Sequence, residues 1–213
     1  MTLLLAPKRA RWPAQPTEQD ALLAEAAGLL RRGEVVGLPT DTVYGLAALP
    51  SSDAGMSLLY AIKGRPREKA IALLVADPCE LERLAGEIPD AARELARRYW
   101  PGGLTLVLRS TADPSTTVAL RMPNNDVPLR LISEVGSPLA TTSANRSAAG
   151  SSRTADDVLE QLPTGYPLLI DDGPCRLGVD STVIDLTSNP PRLLREGAIG
   201  RETIEVITGP IES

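Results

Sequence analysis

The chain contains no histidine and no phenylalanine, and aromatic residues make up only 3% of it. The first absence removes every imidazole role at once: Ser–His–Asp triads, histidine metal ligands and a side chain that titrates near neutral pH. The second leaves Leu, Val, Ile and Ala to build the interior, and 43% hydrophobic content over 213 residues is enough for a sizeable one. Only two cysteines occur, Cys79 and Cys175, far apart and in no metal-ligand spacing, so neither a disulfide framework nor a structural zinc site is expected. No segment approaches the about 18 apolar residues of a membrane-spanning helix, and the Leu3–Ala6 run is too short, and lacks the basic flank, for a signal-peptide core. A cytoplasmic protein without membrane contact is expected. Positive charge is also in deficit: 22 basic against 27 acidic residues give a net charge of −5, which argues against a surface built to grip nucleic acid throughout. Neither glycine signature for phosphate, Gly-x-x-x-x-Gly-Lys-Ser/Thr or Gly-x-Gly-x-x-Gly, is found.

What is present alternates. Thr17 with Asp20 opens a helix that carries Leu22, Leu23, Ala26, Leu29 and Leu30 at helical spacing up to Gly33. Short apolar runs at 34–38, 70–75, 104–108, 138–142, 168–171, 181–186 and 193–195 read as strands, and further helices are expected over 54–62, 78–86, 89–99, 129–135 and from Thr154, with Asp157, to 162. A last small helix is expected after Gly197. This alternation, with a tight hairpin over 181–195, predicts a single α/β domain of the mixed, α+β type: a mixed sheet covered by helices. Residues 1–16, with three prolines, read as an extended lead-in; 17–208 as the domain; 209–213 as a tail.

The most concentrated charge is Lys63-Gly64-Arg65-Pro66-Arg67-Glu68-Lys69, four cations in seven residues of an acidic chain. Clustered cations repel, so the stretch suits an anion such as phosphate, with arginine as a planar fork and lysine as a point charge. A purely structural reading stands beside it: Lys63 and Arg65 complement the C-terminal dipole of the 54–62 helix, and Gly64 caps it. Polar groups also collect at or after strand ends, at Thr40–Tyr44, Arg121, Ser143–Asn145 and Ser181-Thr182, where α/β sheets hold ligands.

Together these motifs resemble the YrdC/Sua5 family. The resemblance is carried, in order, by Pro39-Thr40-Asp41-Thr42-Val43-Tyr44-Gly45-Leu46, by Lys63-x-Arg65 with Lys69, by Trp100-Pro101-Gly102 before Leu104-Thr105, by Arg121-Met122-Pro123, by Ser143-Ala144-Asn145, and by Asp180-Ser181-Thr182-Val183 leading to Arg195. It runs from about residue 20 to residue 200, nearly the whole chain. It implies a YrdC-like twisted sheet and a nucleotidyltransferase that joins L-threonine, bicarbonate or CO₂ and ATP into threonylcarbamoyl-AMP with release of pyrophosphate. That product serves the modification of adenosine 37 in tRNA. Lys63 and Arg65 are then the catalytic cations. ATP falls to Lys63, Arg65, Lys69, Thr117, Asn145, Arg153 and Arg195, and L-threonine to Thr40, Arg121, Ser143 and Ser181. Mg²⁺ would ride on the ATP phosphates, with no protein side chain assigned to it. The partners implied are the tRNA threonylcarbamoyl transferase machinery downstream and a weak contact with tRNA.

Three departures from the family pattern stand out: Ala148 with a later Gly150 after the Ser-x-Asn segment, Glu196 where proline is usual, and Gly103 in place of a second proline. Longer members carry a further C-terminal domain, and the chain reads as the short type. The competing expectations are a YciO-like or carbamoyl-adenylate-forming paralogue and a non-catalytic RNA-binding module.

Overall fold

In the computed structural model the described residues are 6–64, 70–146 and 149–212. They form one mixed sheet of eleven strands with seven helices on its faces. The strands are β1 (Lys8–Arg11), β2 (Val36–Leu38), β3 (Gly45–Ala48), β4 (Ala72–Leu74), β5 (Ala85–Glu87), β6 (Leu104–Ser110), β7 (Thr117–Arg121), β8 (Leu139–Ser143), β9 (Leu168–Asp171), β10 (Thr182–Asp185) and β11 (Arg192–Arg195). The helices are α1 (Pro16–Arg31), α2 (Asp53–Lys63), α3 (Glu80–Leu84), α4 (Asp90–Tyr99), α5 (Asp126–Val135), α6 (Ala155–Gln161) and α7 (Arg201–Thr208). Across the sheet the order is β1-β9-β2-β3-β8-β4-β7-β6-β10-β11, with β5 paired to β6. β1/β9, β2/β9, β4/β7 and β6/β10 run parallel, and the other pairs antiparallel, so the expected mixed sheet is what forms.

Strand alternation distributes side chains to two faces. In β9, Leu168 and Ile170 pack with α1 and α5, while Leu169 packs on the opposite side with residues of α2 and α6; in β3, Ala47 and Leu46 divide the same way. This half of the sheet is therefore covered on both faces. In β6, Leu104, Leu106 and Leu108 face α4 and α7 in a third apolar cluster. The intervening Thr105 and Val107 face the other way, onto the cavity described below.

Several expected element boundaries move. The first helix starts at Pro16 rather than at a Thr17 cap; Gln15 precedes it without a side-chain cap, and proline at the first turn lacks only an N–H that had no partner there. β3 was not expected: Gly45-Leu46-Ala47-Ala48 is buried throughout but carries no β-branched or aromatic residue to mark a strand. The helix expected over 78–86 divides into α3 and β5, the latter pairing with Arg109 and Ser110 of β6. Thr154 and Asp157 form the expected capping box of α6. Gly64 ends α2 in the left-handed conformation (φ 56°), which glycine adopts without steric cost. In the described part of the N-terminal segment, β1 forms a parallel edge of the sheet, Arg9 pairs with Asp171 (2.9 Å) and Asp156 (2.6 Å), and the Arg130 guanidinium lies 5.4 Å from the Trp12 ring centroid. The described part of the tail is docked too, with buried Ile211, the Leu193 amide donating to Glu212 O (2.8 Å) and the Glu212 amide to Pro191 O (2.8 Å).

Candidate active site

The face of β6, β7 and β10 turned away from α4 and α7 opens on a cavity of about 430 Å³. Period-two alternation explains its lining: Thr117, Ala119 and Arg121 of β7 point into it, while Val118 and Leu120 belong to the apolar cluster behind. Thr105 and Val107 come from β6, Val183 from β10 with the preceding Asp180 and Ser181, and Leu194 and Arg195 from β11. β8 supplies Thr141–Ser143, and the loop after β2 supplies Thr40 and Thr42–Tyr44.

Arg121 is a deeply buried cation of the cavity wall. Its Nη2 donates to Asp41 Oδ1 (2.6 Å) and its Nε to the Gly102 carbonyl (2.9 Å), with side-chain exposures of 8% for Arg121 and 0% for Asp41. Burial draws the guanidinium pKa below its ordinary value, and Asp41 opposes that shift. Asp41 Oδ1 also accepts from the Asn124 N–H (3.0 Å), whereas Oδ2 is buried with no partner among the described residues. Asp41 is thus held by one cation and one amide. Sequence reasoning included it in a motif but gave it no role; the available signal was a carboxylate in an otherwise hydroxyl- and apolar-rich segment after a strand.

The hydroxyls are committed to differing degrees. Thr40 Oγ1 donates to Val43 O (2.7 Å) and accepts from the amides of Thr42 (3.1 Å) and Val43 (3.2 Å), so it mainly shapes its own loop. Ser181 Oγ pairs with Thr105 Oγ1 (2.8 Å) and accepts from Arg195 Nη2 (3.0 Å), while Arg195 Nε donates to Ser181 O (2.9 Å). Thr105 was missed because one threonine in an apolar strand reads as a β-former. Ser143 Oγ donates to Asn145 Oδ1 (2.6 Å), and Asn145 Nδ2 donates to Ala149 O (2.7 Å).

Of the expected site residues, Thr40, Thr117, Arg121, Ser143, Ser181 and Arg195 line this one cavity. Lys63 and Asn145 stand behind it. The buried Lys63 ammonium donates to the Asn145 backbone carbonyl and to its Oδ1 (2.8 Å), so Lys63 reaches the cavity wall through Asn145 and Ser143. Arg153 does not line the main cavity but borders a neighbouring one of about 360 Å³, shared with Ser151, Asp180 and Arg195. Arg65 and Lys69 lie outside the described residues. Among the described residues no three His, Cys, Asp or Glu side chains gather as a metal site. Nor is any described helix long and apolar enough to cross a membrane.

Comparison with known proteins bears on this geometry. The Sua5/YciO/YrdC sequence family, described as "Telomere recombination", matches residues 28–197. The chain belongs to the Sua5/YciO/YrdC family. A relative from Bacillus subtilis (strain 168) named threonylcarbamoyl-AMP synthase is 40% identical over 216 residues, covering 96% of this chain and 62% of its own length. The crystal structure of Pyrococcus abyssi Sua5 complexed with L-threonine superposes with a TM-score of 0.88 at 38% identity, covering 98% of this chain and 62% of that one. Escherichia coli YciO superposes with a TM-score of 0.81 at 25% identity, covering 93% of this chain and 99% of that one. The chain therefore spans about three fifths of the length of the first two family members and nearly all of the third.

Proposed function

We propose that the chain is an enzyme, a threonylcarbamoyl-AMP synthase, which joins L-threonine, bicarbonate or CO₂ and ATP and releases pyrophosphate. The observation that carries the reading is Arg121, a nearly fully buried guanidinium held by Asp41 and opening on a cavity ringed by hydroxyls. In a family with a threonine-bound relative, such a group suits a small amino-acid carboxylate as a charge-assisted pair. Ser143 and Ser181 would complete the amino-acid contacts, and Thr40 would contribute through the loop shape it fixes.

The chemistry needs no imidazole. The threonine amine condenses with bicarbonate, losing water, to give a carbamate; a carbamate oxygen attacks the α-phosphorus of ATP, and the bond to the β-phosphate oxygen breaks with the electrons leaving on pyrophosphate. Positioning and cation placement supply the acceleration. Arg195 and Thr117 at the cavity, Arg153 at the adjoining one, and Lys63 with Asn145 behind Ser143 would hold the nucleotide, with Arg65 and Lys69 on the phosphates. Mg²⁺ enters as part of the nucleotide substrate. The product would pass to the transferase machinery that modifies adenosine 37 of tRNA, with at most weak contact between this acidic chain and tRNA, in the cytoplasm.

Incubation of purified protein with ATP, Mg²⁺, bicarbonate and L-threonine tests the reading. Threonine-dependent formation of the adenylate and pyrophosphate is expected. Pyrophosphate release indifferent to omission of threonine would instead favour the YciO-like reading, which near full-length coverage of that smaller relative keeps in view.

A further inference from the structure

The main cavity holds two guanidiniums, Arg121 and Arg195, and one carboxylate, Asp180, among its described lining residues. Asp180 sits on the ridge between this cavity and the neighbouring one, since it lines both. Its Oδ2 accepts from Ser151 Oγ (2.9 Å), its single hydrogen-bond donor among the described residues. A carboxylate can accept several more.

Neutralising Arg195 does not account for Asp180. Arg195 Nη1 and Asp180 Oδ2 form an ion pair at 4.0 Å, too long for a hydrogen bond, and Arg195 spends its donors on Ser181 O (2.9 Å) and Ser181 Oγ (3.0 Å), so the pair leaves the acceptor positions of Asp180 unfilled. Nor does Asp180 fold the chain locally through its carboxylate: the amide of Ala198 bonds its backbone carbonyl (2.9 Å), and it is that carbonyl on which glycine at 197 allows close approach. A partly exposed carboxylate with spare acceptors therefore faces a space whose other charges are positive.

A zwitterion fits that arrangement: its carboxylate on the arginine side, its ammonium on Asp180. We propose that Asp180 is the amine-binding residue of the amino-acid substrate, and so selects α-amino acids over hydroxy acids of the same shape. This rests on the proposed threonine-dependent activity.

Calorimetric titration with L-threonine and with 3-hydroxybutyrate tests the inference; the latter keeps the carboxylate, hydroxyl and methyl of threonine but has no amine. In the wild-type chain threonine should bind more tightly. In Asp180→Asn threonine affinity should fall roughly tenfold to a hundredfold, the range of a hydrogen bond to a charged group. Affinity for 3-hydroxybutyrate should change less than about threefold, since that ligand carries no ammonium. Asp180→Ala, monitored by circular dichroism alongside, should give the same split. Equal losses for both ligands, or no loss of threonine affinity in either variant, overturn the inference while leaving the proposed function standing. A wild-type chain that binds ATP but not threonine overturns both.

Discussion

The two halves of the sheet are built from similar strands and used differently. Around β2 and β9 both faces are sealed by helices, and successive residues such as Leu168 and Leu169 are buried to the same degree. Around β6, β7 and β10 only one face is sealed, by α4 and α7; the other carries threonine, serine and arginine around a cavity. A single strand such as β6 therefore serves stability with Leu104, Leu106 and Leu108 and the site with Thr105 and Val107. Among the described residues, the cavity lies where the sheet carries no helix layer on one face.

The sharpest way to break that contrast is at its one deeply buried charge pair. Asp41→Asn leaves Arg121 in the interior without its counter-charge and should cost about 3–5 kcal/mol, measured by urea unfolding; adding Arg121→Met should restore part of it. Leu106→Ala, on the sealed parity of β6, should cost about 2–5 kcal/mol while the threonine KM of the folded fraction stays within about twofold. An equal KM change there would show that the two parities are not separable. Arg121→Lys keeps a charge beside Asp41 but loses the planar fork, so the threonine KM should rise roughly tenfold with the ATP KM little moved; the reverse pattern in steady-state kinetics would reassign that arginine. Thr105→Val, one residue from Leu106, should change stability by less than about 1.5 kcal/mol and weaken threonine use several-fold, because Ser181 loses its hydroxyl partner.

The smallest effect expected is one of acidity. Burial acts to raise the Asp171 pKa, but hydrogen bonds from the Gly173 amide, Arg9 and Tyr44 outweigh it and leave the group below its ordinary value. A carboxylate depressed in the folded state adds stability above its unfolded pKa, near 4, and loses it as pH falls through the folded value. Asp171→Asn should therefore be the less stable protein at pH 7 by about 1 kcal/mol, with the gap narrowing below about pH 4 in paired urea titrations.

Local signals were legible in the sequence wherever one segment decides its own structure. The Thr154–Asp157 capping box, the Gly64 cap and the apolar runs of β6 and β9 depend on neighbours in the chain, and they formed as read. β3 was not legible, because Gly45-Leu46-Ala47-Ala48 offers no β-branched or aromatic residue, and β5 was absorbed into a helical pattern that ends two residues earlier, at Leu84. At the site, polar residues at strand ends pointed to Thr40, Arg121, Ser143 and Ser181, and the family resemblance added Thr117 and Arg195; all six share a cavity. The pairings that organise it were out of reach: Lys63 with Asn145 and Asp41 with Arg121 join residues about eighty positions apart, and no periodicity records such a contact.

The docked ends of the chain place two kinds of attachment very differently. β1 forms one edge of the sheet, nine strand intervals from β11 at the other, a path of roughly 40 Å at about 4.8 Å per interval. Glu212 bridges Arg192 at the start of β11, the strand whose Leu194 and Arg195 wall the cavity. A reporter or affinity tag joined before Lys8 leaves from the edge far from the cavity, whereas one joined after Glu212 leaves beside it, so the choice of terminus decides whether a fusion reads the site or stays clear of it.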